Sequence, residues 1–70
     1  MDRLFLYWRN GLGPRSLWAA SPEQALEKVL EALRADPDRH LFPYLWGSLR
    51  PATVEERDDL YNRMAAQFGG

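Results

Sequence analysis

The sequence predicts a small α+β fold, a single domain over residues 1–70 that contains a β-hairpin and two helices. An aromatic-rich N-terminal stretch followed by Asn10-Gly11 is typical of a strand that enters a hairpin. Two later segments begin with capping residues and carry apolar side chains at three- and four-residue spacing, which is typical of helices. The sequence has no internal repeat, low-complexity tract or linker that would mark a second domain.

We expect the hairpin strands over residues 3–9 and 15–20. A tight turn at Asn10-Gly11 is the stronger local signal, and it would pair Leu6 with Arg15. A five-residue loop over residues 10–14 would instead pair Leu6 with Trp18 and gather apolar side chains on one face. Because strand register follows the buried face, we predict the longer loop. The face expected to point towards the first helix then holds Leu4, Leu6, Trp8 and Trp18. The opposite face holds Phe5, Tyr7, Arg9, Arg15 and Leu17.

The first helix is predicted over residues 22–35. Ser21 is a natural N-cap, and Pro22 suits the first helical position, where its missing donor costs nothing. Gln24, three residues after the cap, completes a capping box. Pro37 ends the helix because it disfavours the α conformation at the preceding residue. The apolar stripe consists of Ala25, Leu26, Val29, Leu30 and Leu33.

The region over residues 40–47 is ambiguous, and we predict a short edge strand there. Pro43 fits an edge position, where its missing N–H faces solvent. A second helix is predicted over residues 54–68, with a capping box between Thr53 and Glu56. An ion pair between Asp59 and Arg63 is expected at i, i+4 spacing. The face expected to be buried consists of Leu60, Tyr61, Met64, Ala65 and Phe68.

Composition limits what the chain can be. Seventy residues lie near the lower limit for a domain that folds alone, so a homo-oligomer is an alternative. The chain has no cysteine, which excludes disulfides and thiolate metal sites. Neither a secretory leader nor a stretch of roughly 20 apolar residues is recognisable, so we expect a cytoplasmic protein without a membrane partner.

The sequence gives no sign of catalytic chemistry. His40 is the single histidine, and a lone histidine is most often a surface or half-buried side chain. Asp58 and Asp59 are adjacent on a predicted helix and point about 100° apart, so they do not converge as an acid–base pair. We therefore predict a protein that is not an enzyme and that has no catalytic residue, cofactor or metal.

The first functional hypothesis is a protein-binding module, such as a regulator, adaptor or inhibitor that occupies a partner's surface. The chain has nine aromatic and eight arginine side chains, types that are enriched at interface hot spots. A secondary hypothesis is an acidic ridge at i, i+4 spacing on the first helix, made of Glu23, Glu27 and Glu31. The candidate partner-binding residues are Tyr7, Arg9, Arg15, Phe42, Tyr44 and Trp46.

The second hypothesis is single-stranded nucleic-acid binding through the hairpin. Arginines at positions 3, 9 and 15 alternate with aromatic side chains, and such a face can stack bases and contact phosphates. The net charge of −1 and the acidic helices argue against this hypothesis, because they would repel a phosphate backbone.

The third hypothesis starts from the C-terminal Gly69-Gly70. A hairpin, then a helix, and a terminal diglycine resemble ubiquitin-like sulfur carriers, in which the last glycine is activated and thiocarboxylated. The resemblance implies the same chemistry at Gly70. This sequence departs from that family just before the diglycine. Residues 55–68 are predicted to be helical, whereas the family reaches its diglycine through a strand and an extended tail.

Overall fold

A computed structural model describes residues 1–68 and contains a three-stranded antiparallel sheet and two helices. The strands are β1 (Arg3–Tyr7), β2 (Arg15–Ala19) and β3 (Arg50–Pro51), and the helices are α1 (Pro22–Ala35) and α2 (Val54–Phe68). The sheet order is β2-β1-β3, so β1 is central. The predicted α+β class, the hairpin and both helix ranges are confirmed.

The hairpin register differs from both predicted registers. Leu4 pairs with Trp18 and Leu6 pairs with Ser16, so seven residues connect the strands. The Asn-Gly turn does form, because the Leu12 amide donates to the Arg9 carbonyl at 3.0 Å and Gly11 has φ +86°. This turn lies inside the longer loop, however, because Trp8 to Asn10 do not pair with β2 and instead bond to a distant part of the chain. Both predicted registers were wrong for that reason.

The two faces of the sheet are also used in the opposite way to that predicted. α1 packs on the face of Phe5 and Ala19, both buried together with Ala25 of the helix, and Leu17 and Leu49 contact this cluster. Because both alanines have little bulk, Phe5 is the large buried side chain of this cluster. The Leu4 and Leu6 side chains instead point to the opposite face, where α2 lies.

Local capping holds α1 as predicted. The Ser21 hydroxyl accepts the Gln24 amide hydrogen at 3.2 Å. The Gln24 side chain accepts the Ala20 amide hydrogen at 2.6 Å, one residue earlier than a standard capping box. Ala25 and Val29 are fully buried along the helix.

The predicted edge strand over residues 40–47 was wrong in position. Turns occupy much of that range, and only Tyr44 makes a bridge, with Arg9. The edge strand is β3, in which Pro51 pairs with Phe5 and Arg50 pairs with Leu6. Pro43 provides no N–H, and Gly47, at φ +86°, turns the chain back, so residues 40–47 cannot form a continuous ladder.

The predicted start of α2 is confirmed, but its predicted buried face is not. The Glu56 amide donates to the Thr53 hydroxyl at 3.2 Å, and the Thr53 amide donates to the Glu56 carboxylate at 2.9 Å. Of the predicted buried residues, Leu60 is half-buried, whereas Tyr61, Met64 and Ala65 are exposed. The predicted burial of Phe68 concerns a side chain outside the described part of the chain. Within residues 1–68 the predicted Asp59–Arg63 ion pair is not formed. Those two side chains line a cavity of about 200 Å³ against the sheet.

Candidate partner-binding surface

The candidate surface is built where the end of β1 meets the segment Phe42–Leu49. The Asn10 amide donates to the Pro43 carbonyl at 2.8 Å, and the Leu45 amide donates to the Trp8 carbonyl at 3.0 Å. These two bonds flank the Arg9–Tyr44 bridge and extend the sheet by one short step beyond β1. They attach a segment with little regular structure to the central strand.

A tight turn then displays Trp46. The Ser48 amide donates to the Leu45 carbonyl at 3.1 Å, and Gly47 has φ +86°, a value that favours glycine. The Ser48 hydroxyl accepts the Trp8 amide hydrogen at 3.1 Å, so a side chain takes the place of a ladder bond. Because both ends of the turn are bonded, Trp46 is held at its tip, where it is 75% exposed.

Three aromatic rings lead from the sheet to this tip. Tyr7 and Tyr44 meet edge to face with ring centroids 6.1 Å apart. Tyr44 and Trp46 meet in the same manner at 5.2 Å. Such geometry is favoured by the ring quadrupoles and adds to the stabilisation from burial. Tyr44 is buried and Tyr7 half-buried, so the inner rings support the exposed indole of Trp46.

A groove of about 330 Å³ lies between this turn and the start of α1. One wall comes from the helix, with Leu26 as its main apolar side chain and Glu23 at its rim. The other wall comes from the turn. The residues that line the groove are Pro22, Glu23, Leu26, Tyr44, Trp46, Gly47 and Leu49. It is an apolar groove with one carboxylate at its edge.

Arg9 anchors this arrangement from inside and is only 7% exposed. Its Nε donates to the Phe42 carbonyl at 2.7 Å, and its Nη1 forms an ion pair with Asp36, the residue that ends α1. The Asp38 amide and then Arg9 hold the pKa of Asp36 below its usual range by hydrogen bonding. The Nη2 atom has no hydrogen-bond partner among the described residues. Arg9 therefore ties the hairpin to the loop after α1.

The structure brings the six predicted partner-binding residues into one region but gives them different roles. Trp46 and Arg15 are exposed, Tyr7 and Phe42 are half-buried, and Arg9 and Tyr44 are buried. Arg15 pairs with Tyr7 across the hairpin, and its charge also lowers the pKa of Asp36. The two buried residues are therefore supports beneath the surface.

The acidic ridge adjoins the same region. Glu23 lines the groove, and Glu27 and Glu31 continue along the exposed side of α1. Leu26 and Leu49 were not among the predicted partner-binding residues, since Leu26 was assigned to the apolar stripe of the first helix and Leu49 had no assigned role. Their half-exposure follows from where the loop crosses the helix, which has no local signal in the sequence.

Backbone hydrogen bonds and ion pairs within the fold explain the shifted pKa values of Asp36 and Glu56. Arg50 donates two hydrogen bonds to Glu56, each at 2.7 Å, and with the Thr53 amide it lowers the pKa of Glu56 to about 2. His40 is exposed. Across residues 1–68, no three His, Asp or Glu side chains are grouped as a metal site would require. What the candidate surface offers to a partner is therefore its shape and its apolar side chains.

Comparison with protein-family models, curated proteins and solved structures gives no match for this chain. Neither of the helices within the described residues has the length and apolar character needed to cross a bilayer.

Proposed function

We propose that this chain is a protein-binding module that engages its partner through the groove beside Trp46, without catalysing a reaction. The observation that carries the proposal is an indole that is 75% exposed yet held by a bonded turn and an aromatic neighbour. A side chain held in place loses little conformational entropy on binding. Tryptophan is also among the residues most enriched at interface hot spots.

The lining of the groove supports a polypeptide as the ligand. Leu26, Leu49 and the Trp46 ring offer apolar contact on both walls, and Glu23 at the rim offers a carboxylate to a hydrogen-bond donor. The groove is open along one side, which suits a side chain or short segment of another protein. A chain without cysteine suits the reducing cytoplasm, and we include that location in the proposal.

The nucleic-acid alternative has less support. Arg9 is buried against Asp36, and Arg50 is held by Glu56, so both are already neutralised within the fold. Arg3 and Arg15 remain exposed on the hairpin, and the nearby groove has a carboxylate at its rim. A phosphate backbone would need several free cations on one face.

The sulfur-carrier alternative rests on Gly69-Gly70, which lie outside the described residues. The chain that leads to them is helical up to Phe68. This is the same departure from the ubiquitin-like pattern that the sequence predicts.

The proposal is tested by affinity capture from cells that encode the chain, followed by titration of each captured protein in purified form. Three baits are used: the wild type, Trp46→Ala and Leu41→Ala. Leu41 is the matched control because it is also a largely exposed apolar residue, but it does not line the groove. Loss of a hot-spot tryptophan is expected to weaken binding by at least about 30-fold, and Leu41→Ala by less than about threefold.

Circular dichroism of each bait first establishes that the fold is retained, as expected for exposed positions. A partner that binds the wild type and Trp46→Ala equally would overturn the proposal. Titration with single-stranded oligonucleotides at low salt distinguishes this proposal from nucleic-acid binding. Salt-sensitive oligonucleotide binding that Trp46→Ala does not weaken would favour the nucleic-acid alternative.

A further inference from the structure

α2 turns a mostly charged face towards the sheet. From α2, the residues that line the cavity between them are Glu56, Asp59, Leu60 and Arg63, and of these four only Leu60 is apolar. They lie opposite Leu4 and Leu6, which are buried apolar residues of β1. An amphipathic helix in a globular protein normally does the reverse.

Apart from Leu60, the large apolar residues of α2 that the structure describes lie on its outer side. Val54, Tyr61 and Met64 are 64%, 48% and 44% exposed. At 100° per residue their side chains fall within an arc of roughly 80°, so they form one stripe, and Arg57 lies within the same arc between Val54 and Tyr61. Trp18, which is 40% exposed, continues this surface because it lines the same hollow as Val54. We call these four residues the α2 stripe.

We propose that the α2 stripe is covered by the α2 stripe of a second copy of this chain, with the two helices antiparallel. A stripe along one helix is self-complementary under twofold symmetry, which is the commonest symmetry of homo-oligomers. The chain is also short of core: in the described residues only seven apolar side chains are buried. Domains of this size commonly gain their missing burial from association.

Charge selects the antiparallel arrangement. The first half of α2 carries Glu55, Glu56, Asp58 and Asp59 against Arg57, and the second half carries Arg63. Two parallel copies would place the acidic halves side by side. An antiparallel pair places each acidic half beside the other copy's Arg63 half and opposes the two helix dipoles. The twofold axis then passes near Tyr61, the middle of the helix.

The size of the stripe determines how strong the association is. Its exposed apolar area is on the order of 400 Å² per copy, within the range of the largest patches on small proteins. A dimer would bury roughly twice that area, which is typical of weak, reversible complexes. We therefore expect a monomer–dimer equilibrium that depends on concentration.

The test is sedimentation equilibrium of the full chain from about 10 µM to about 1 mM. The wild type should rise from a mass of 8.1 kDa towards twice that value. Tyr61→Glu should weaken dimerisation by about tenfold or more, because it places a charge on the axis. Asn62→Glu adds the same charge at an adjacent exposed position outside the stripe and should change the constant by less than about threefold.

A second measurement does not depend on those variants folding equally well. In this cysteine-free chain, Tyr61→Cys places two thiols near the proposed axis and should form an intermolecular disulfide on mild oxidation, whereas Asn62→Cys should not. A wild type that stays monomeric at the highest concentration, or equal effects at positions 61 and 62, would overturn the proposal. The groove beside Trp46 lies on the α1 side of the sheet, so partner capture tests the proposed function separately.

Discussion

Replacement of Phe5 tests the assignment of α1 to its face of the sheet. Phe5 lies on the central strand between Leu17 and Pro51, is 2% exposed and packs under α1 through Ala25. Trp18 is larger but 40% exposed on the other face. If the predicted hairpin register had been right, Trp18 would have been the core residue and Phe5 the peripheral one.

The expected cost of Phe5→Ala follows from its burial. Transfer of the ring to water costs about 1.5–3 kcal/mol, and the cavity left under α1 brings the total to about 3–5 kcal/mol. The total stability expected for 70 residues is about 3.5–10 kcal/mol, so this is a large share of it. Trp18→Ala removes a side chain that is already partly in water and should cost no more than about 2 kcal/mol.

Urea unfolding followed by far-UV circular dichroism measures both free energies on the same scale. Phe5→Leu is a milder variant that keeps the fold measurable, with an expected cost of about 1–1.5 kcal/mol. A cost for Phe5→Ala below that for Trp18→Ala would refute the face assignment, whatever the absolute values.

Three further outcomes are expected. The pKa of Glu56 is lowered from 4.5 to about 2 in the fold. Its contribution to stability is therefore complete above pH 4.5 and is lost as the pH falls through about 2, and Glu56→Gln should flatten that acid limb of the stability curve. In acrylamide quenching, Trp46→Phe should remove the most accessible fluorescence, and an unchanged quenching curve would contradict its exposure. Gly47→Ala should cost roughly 1–2 kcal/mol from its positive φ alone, since its Cβ meets open space. Gly11→Ala should cost more in urea unfolding, because its Cβ would lie 3.2 Å from the Phe42 ring, and equal costs would argue against that contact.

The predictable parts of this fold are those with local causes. The Ser21 and Thr53 caps and the stop at Asp36-Pro37 act within a few residues, and the range of α1 and the start of α2 follow from them. The hairpin register has a distant cause, because Trp8 to Asn10 bond to a segment about 35 residues later. No pattern within the hairpin records that competition.

The candidate site was predictable in composition and not in arrangement. Tyr44 and Trp46 are aromatic residues in an otherwise irregular segment, and they stand together as their spacing suggests. Arg9 gave no sequence signal that it would be buried, because its partner Asp36 ends a helix 27 residues away. The apolar pattern of α2 likewise shows that a stripe exists but not which surface covers it.

The two edges of the sheet differ from open strand edges in a way that bears on solubility. On one side, β3 is only two residues long and includes Pro51, which has no N–H to offer an incoming strand. On the other side, the Trp18 carbonyl of β2 is already bonded by the Lys28 ammonium of α1 at 2.6 Å. Strand-by-strand stacking of chains, the usual route to fibrils, is therefore discouraged at both edges. The proposed contact between two copies accordingly uses a helix surface and neither edge of the sheet.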